Sequence, residues 1–268
     1  DCANGAASRV TPPLLTELGA EVISIFDKPD GLNINARCGS THLEALQEAV
    51  LKTGADLGIA HDGDSDRMLA VDEAGRVVDG DQILVACGIQ LQKEGKLTGN
   101  KLVVTVMSNL GLKQACEKHG IQVEETKVGD RYVLERMQET GAILGGEQSG
   151  HIIFLNHNTT GDGIITALKL LELVKKTGRP LSELANQMEK LPQVLVNARV
   201  KDKSSWQSNP AIQQIIKQSE ERLGKRGRIL VRPSGTEPLI RVMAEGNDLS
   251  ELEQITKSIA QVIEKELS

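Results

Sequence analysis

Apolar positions along the chain switch repeatedly between helical and strand spacing, and this alternation predicts an α/β protein. Leu14, Leu15 and Leu18, opened by Pro12 and Pro13 and stopped by Gly19, predict a first helix. Glu21–Phe26 predicts a strand. Thr41-His42-Leu43-Glu44 reads as a capping box that opens a helix with Leu43, Leu46 and Val50 on one face. A strand over 56–60, a hairpin turn at Asp72-Glu73-Ala74-Gly75 and a helix over about 81–94 follow. The polar, Gly-containing stretch 93–100 reads as a boundary. Beyond it the pattern resumes, with strands over 101–106 and 121–126 and helices over 109–119 and 130–140.

A weak internal echo runs through these two stretches. Ala55-Asp56-Leu57-Gly58 resembles Ala142-Ile143-Leu144-Gly145, Gly19-Ala20-Glu21-Val22 resembles Gly120-Ile121-Gln122-Val123, and Gly80-Asp81 resembles Gly161-Asp162. The order is kept, which suggests duplication. After Pro192 the pattern changes: strands over 194–200, 228–231 and 240–244, a helix over about 209–223, and a last helix carrying Leu249, Leu252, Ile255, Ile259, Ile263 and Leu267. The expected fold is α/β: two duplicated three-layer α/β domains (1–97 and 98–193) with mixed, mostly parallel sheets, then a small C-terminal α+β domain (194–268). Asp1–Ala6 reads as the end of a strand and a Gly turn, so the first domain is expected to be cut within its opening strand.

Composition narrows the chemistry. The aromatic residues are only Phe26, Tyr132, Phe154 and Trp206, which argues against a base-stacking platform. A net charge of −6 argues against nucleic acid and anionic membranes as partners. Cys2, Cys38, Cys87 and Cys116 are scattered, with no C-x-x-C, and read as small buried residues in a reducing compartment, hence a cytoplasmic location. No apolar run approaches the ~20 residues of a membrane span.

Asp62-Gly63-Asp64-Ser65-Asp66-Arg67 sets three carboxylates at every second residue between two strand-like flanks. In extended backbone such residues point the same way. Like charges crowded on one face suit a hard divalent cation, and Arg67 adds a fixed cation for an anionic, phosphorylated substrate. An EF-hand loop also opens D-x-D-x-D, but its sixth position needs Gly and here is Arg67. A solvated acidic turn is the plainer alternative.

Two further loops carry chemistry. Gly145–His151 offers Glu147, Ser149 and His151 on a Gly-flexed turn, suited to sugar hydroxyls and proton transfer, with an ordinary tight turn as the alternative. Arg232–Arg241 places two guanidiniums around Ser234-Gly235-Thr236, a set that can surround a phosphate; a hairpin turn with surface charges is its alternative. In Lys127-Val128-Gly129-Asp130-Arg131 the turn opens a helix, and Lys127 and Arg131 are placed to face the same cleft.

Together these segments resemble the α-D-phosphohexomutase family over essentially the whole chain. Asp62–Arg67 resembles its magnesium loop, Gly146–His151 its sugar-recognition loop and Arg232–Pro238 its phosphate-binding loop, in the family's order. Glu147-Gln148-Ser149-Gly150-His151, Asp1–Ala6 and Val128–Arg131 are most similar to members that act on hexosamine phosphates. The family has four domains, the first carrying a phosphoserine in a Ser-His-Asn loop. That tripeptide is absent here, and Asn156-His157-Asn158 lacks the serine.

The resemblance therefore implies domains two to four of an intramolecular phosphotransferase. It implies two phosphoryl transfers, from phosphoserine to sugar and back, through a bisphosphorylated sugar that also acts as primer. Asp62, Asp64 and Asp66 would hold one Mg2+. Arg67, beside the phosphoserine, and His151, as general acid or base, would be catalytic. Lys127, Asp130, Arg131, Glu147 and Ser149 would meet the sugar, and Arg232, Ser234, Gly235, Thr236 and Arg241 the phosphate that is not reacting. The partners implied are a hexosamine phosphate and the missing N-terminal domain, with a homodimer compatible and no nucleic acid or membrane. Without the serine this chain alone is expected to be inactive. A mutase for mannose or glucose phosphates and a non-catalytic phosphosugar-binding module remain as alternatives.

Overall fold

The computed structural model describes residues 1–235 and 237–267. The chain divides into two units: Asp1–Ser108 with Leu112–Glu189, and Asn109–Gly111 with Lys190–Ser268.

In the first unit, α1 (Thr11–Glu17) has Pro at its N-terminal turn, and Gly19 beyond its end takes a left-handed φ of 88°. Helix α2 (Glu44–Thr53) covers one face of an antiparallel sheet of β1 (Leu57–His61), β2 (Met68–Asp72) and β3 (Val77–Val78). Leu46 and Val50 pack with Ala60 and Val71 there. Helix and strand approach so closely that a Cβ on Gly58 would lie 2.8 Å from Val50. The capping box at Thr41 does not form: Thr41 closes a short 3-10 turn, and α2 begins at Glu44 behind Leu43, with no side-chain cap. Residues 21–26 form no strand. Among the described residues only two backbone bonds reach them, Cys2 N–H to Ile25 and Asn4 N–H to Phe26, because Ala3 and Asn4 turn with φ of 53° and 47°.

Helix α3 (Gly80–Lys93) starts on a reciprocal cap between Asp79 and Gln82. Next come β4 (Lys101–Thr105), α4 (Leu110–Lys118), β5 (Gln122–Thr126), α5 (Asp130–Thr140), β6 (Leu144–Gly146), β7 (Ile152–Phe154), α6 (Gly163–Thr177) and α7 (Leu181–Ala185). The sheet order is β5-β4-β6-β7; β4 pairs parallel with β5 and β6, while β7 runs antiparallel to β6. Alternation along β4 makes three layers. Leu102 and Val104 face a core shared with α3, α4, α6 and α7, and Val103 faces α5 through Val133 and Met137. Parallel pairing thus predominates in this sheet only; the β1–β2–β3 sheet is wholly antiparallel, because its strands are joined by tight hairpins rather than crossovers. The main core also takes Met68 and Ala70 from β2. Glu73, in the β2–β3 turn, accepts from the hydroxyl and N–H of Ser182 at the start of α7.

In the second unit, β8 (Gln193–Arg199), β9 (Gly227–Pro233) and β10 (Leu239–Gly246) form an antiparallel sheet in the order β8-β10-β9. Helices α8 (Pro210–Leu223) and α9 (Leu249–Leu267) cover it, with Ile255, Ile259 and Ile263 against Ile240 and Val242. This is the α+β arrangement that the spacing of the last helix predicts. Asn109 joins the unit through paired bonds with Leu191, accepting from its N–H and donating to its carbonyl. Buried Glu245 accepts from Leu110 N–H (2.8 Å), Gln193 (2.9 Å) and Arg228 (2.7 Å). All four cysteines are buried and free. Among the described residues no helix is long and apolar enough to cross a membrane.

Candidate active site

The acidic loop joins β1 to β2, and the Glu147–His151 loop joins β6 to β7, so the sequence echo places both at one kind of position, the turn of an antiparallel hairpin. The two turns meet. Arg67 and His151 form an isolated β-bridge, and Met68 N–H donates to Gly150 carbonyl at 3.1 Å.

Asp62, Asp64 and Asp66 each present a carboxylate oxygen within 4.8 Å of the others. Asp62 is buried, Asp66 half-buried and Asp64 exposed. Burial, then the bond from Asp66 and the charges of Asp66 and Asp64, push the Asp62 carboxyl up to about 6, while the Arg67 N–H pulls it back. Arg67 Nε stands 3.6 Å from Asp62 and 3.8 Å from Asp66, too far for tight pairing. One buried oxygen of Asp66, Oδ1, has no hydrogen-bond partner among the described residues. Three converging carboxylate oxygens, incompletely compensated by one guanidinium at long range, fit a hard divalent cation. The turn itself needs Ser65 at a φ of 65°.

His151 is 4% exposed. Its Nδ1 lies 3.0 Å from Asp66 Oδ2, and its Nε2 accepts from Gly161 N–H at 3.0 Å. Both ring nitrogens are therefore engaged. The side chain expected as a general acid or base thus lies between Asp66 and Gly161 N–H, linking the two loops. Glu147 is half-buried, and its carboxylate accepts from Gly129 N–H at 3.1 Å, which brings the 127–131 segment to the sugar-loop position. Exposed Ser149 lies 3.5 Å from Glu147 Oε2. Lys127 and Asp130 are exposed at this end of α5, whereas Arg131 turns along its own helix to Glu135 at 2.7 Å.

The Arg232–Arg241 loop belongs to the second unit. Arg232 of β9 and Arg241 of β10 are direct cross-strand partners. Burial and then the Arg241 charge hold the Arg232 guanidinium below its usual range. Arg241 Nη2 donates to Glu237 at 3.1 Å, leaving its buried Nε without a partner among the described residues. Buried Ser234 accepts from Glu237 N–H at 3.2 Å, so its hydroxyl shapes the turn. Gly235 is exposed with open space at its Cβ position. Thr236 lies outside the described residues.

Sequence reasoning missed four contributors. Lys203 donates to the carbonyls of Ser234 and Glu237 at 2.8 and 3.0 Å, pinning both ends of the phosphate loop. It is about thirty positions away in sequence and carries no local signal. His61, beside Asp62, is buried against Thr11 at 3.2 Å. Gly161 and Gly163 sit where a Cβ would come within 2.4 Å of the His151 ring and of Arg67 carbonyl respectively.

The α/β unit carries the two joined hairpin loops, and the α+β unit carries the cationic turn. The chain matches three consecutive phosphoglucomutase/phosphomannomutase domains: alpha/beta/alpha domain II over residues 1–75, alpha/beta/alpha domain III over 79–191 and the C-terminal domain over 195–262. It belongs to that family. It is similar to the phosphoglucosamine mutase of Desulforamulus reducens, 63% identical over 98% of this chain and 59% of that protein. It is likewise similar to that of Carboxydothermus hydrogenoformans, 63% identical over 99% of this chain and 60% of that protein. The chain thus spans about three-fifths of these relatives' length. In fold it resembles Aspergillus fumigatus N-acetylphosphoglucosamine mutase in complex with GlcNAc-6P and magnesium, with a TM-score of 0.81 and 24% identity over 100% of this chain and 61% of that one.

Proposed function

We propose that this chain is the metal-, sugar- and phosphate-binding portion of a phosphoglucosamine mutase, interconverting glucosamine 6-phosphate and glucosamine 1-phosphate on the route to UDP-N-acetylglucosamine. The observation that carries the reading is the pairing of the Asp62–Asp64–Asp66 cluster with Arg67 on the loop that meets the Glu147–Ser149 turn. The phosphoglucosamine mutases it resembles support the choice of sugar.

Asp62, Asp64 and Asp66 would hold one Mg2+, which when bound neutralises charge on a transferring phosphoryl group. Arg67, with its side chain 45% exposed, reaches beyond the cluster and would steady the same phosphoryl oxygens. Glu147, anchored by Gly129 N–H, would present its carboxylate to sugar hydroxyls with Ser149 beside it. Arg232 and Arg241 would hold the phosphate that is not reacting, since an anion relieves their mutual repulsion. Phosphoryl transfer also needs a nucleophile. Ser65 is buried within the metal loop and Ser149 belongs to the sugar turn, so neither is assigned that part. The phosphoserine would come from an N-terminal domain, primed by a bisphosphorylated sugar, in a cytoplasmic enzyme.

The test is a turnover assay with Mg2+ and a bisphosphate primer. The purified chain alone is expected to show no interconversion of glucosamine phosphates. Supplying a phosphoserine-bearing domain, fused or in trans, is expected to give turnover that favours glucosamine phosphates over mannose and glucose phosphates. Turnover by the isolated chain, or preference for the neutral sugars, would overturn the reading.

A further inference from the structure

We propose that His151 is a positioning residue that fixes Asp66 as a metal ligand. The inference deepens the metal assignment above and rests on it. The ring sits between two fixed partners, Asp66 Oδ2 at Nδ1 and Gly161 N–H at Nε2, each at 3.0 Å. A backbone N–H can only donate, so Nε2 must present its lone pair. The ring hydrogen is then on Nδ1 and points at Asp66. That bond takes up Oδ2 and leaves Oδ1 without a hydrogen-bond partner among the described residues, on a carboxylate that belongs to the Asp62–Asp64–Asp66 cluster. A histidine that orients a ligating carboxylate acts on metal affinity through ligand geometry.

The surroundings make the brace rigid. Arg67 and His151 bridge as strand neighbours, and Met68 N–H donates to Gly150 carbonyl. Gly163 N–H also donates to Ser65 carbonyl at 2.9 Å. A Cβ at Gly161 would lie 2.4 Å from His151 Nε2, at Gly150 2.4 Å from Met68 carbonyl, and at Gly163 2.4 Å from Arg67 carbonyl. The glycines thus let the sugar-loop hairpin close on the metal loop, with His151 as the side chain that reaches an acidic ligand.

The experiment measures Mn2+ affinity of the purified chain, by calorimetry or electron paramagnetic resonance. It compares the parent with His151→Ala, His151→Asn and Asp64→Asn, each shown to be folded by its thermal transition. Asn places an amide donor where Nδ1 stands but cannot take up or release a proton. Positioning predicts that His151→Ala weakens Mn2+ binding by about tenfold or more, whereas His151→Asn stays near the parent. If His151→Ala fails to fold, Gly161→Ala, which pushes the ring from its seat, is read in its place with the same expectation. Parental affinity in His151→Ala or Gly161→Ala, alongside weakened binding in Asp64→Asn, overturns the inference and leaves the metal site standing. No Mn2+ binding by the parent, or none lost in Asp64→Asn, overturns the metal site and the inference with it.

Discussion

Arg232 and Arg241 stand directly opposite one another across the β9–β10 pair, two like charges at the closest cross-strand position. Such a pair opposes sheet formation unless an anion bridges it. Arg241→Ala is therefore expected to weaken glucosamine-phosphate or inorganic-phosphate binding by roughly tenfold or more, the loss of ~1.5–3 kcal/mol from one charge-assisted partner. The same substitution is expected to leave the anion-free fold as stable as the parent or slightly more so. Calorimetry with phosphate, together with a thermal melt, checks both, and unchanged phosphate affinity would count against the assignment.

Asp62 links metal binding to pH. Its carboxyl is pushed up to about 6, mainly by burial, so the empty loop favours the protonated form below that pH. A cation requires the carboxylate. Mn2+ affinity is expected to rise as pH increases through about 6 and to level off above 7. The sign is opposite for the empty fold, which gains stability from this group on acidification. Titrations at pH 5.5, 6.5 and 7.5 that gave one affinity would refute the linkage.

His61 acts the other way. Burial, then the charge of the N-terminal amine, lowers it from 6.5 to about 4, so the unfolded chain takes up a proton that the folded chain refuses. Its contribution is present above pH 6.5 and is lost as pH falls toward 4. Because Asp62 titrates nearby with the opposite sign, the quantity to follow is the difference between parent and His61→Gln. Urea midpoints in metal-free buffer are expected to show the parent losing ground to the variant between pH 7.5 and 4.5. A constant difference would remove His61 from the account.

Glu245 is the buried hub of the second unit, accepting from Leu110, Gln193 and Arg228. Glu245→Ala strips a carboxylate from a buried ion pair and is expected to lower stability by about 3 kcal/mol or more. Glu245→Gln retains one acceptor and is expected to lose less. Chemical denaturation followed by circular dichroism ranks the two, and equal losses would show that the retained acceptor contributes nothing and that the site requires the carboxylate charge.

Much of this protein is written in local pattern. Helical spacing in residues 249–267, the helix over about 209–223 and the Gly75 turn appear in the structure as the sequence predicts. Such features depend on side-chain period and backbone φ, which neighbours in sequence set. The acidic loop is legible for the same reason, because three carboxylates within five residues are close wherever the loop lies. Local pattern also misleads: Thr41 has the spacing of a capping box, yet a turn held by Gly39 consumes it before the helix begins. Residues 21–26 have strand composition, but a ladder needs a partner, and the chain at Ala3 and Asn4 turns away after two bonds.

What tertiary structure alone decides is which groups serve one another. His151 and Asp66 are 85 residues apart, and only the meeting of two hairpin turns converts an exposed-looking histidine into a buried brace. Lys203 reaches the phosphate loop, and Glu245 the Leu110 N–H 135 residues away, through hydrogen bonds that leave no spacing in sequence. The sequence by itself determined the kinds of chemistry present: acidic ligands, a hydroxyl-rich turn and paired guanidiniums. Their assignment to ligand, brace or clamp required the fold, because a hydrogen bond is fixed by distance and direction in space, and residues far apart along the chain acquire both only when it closes.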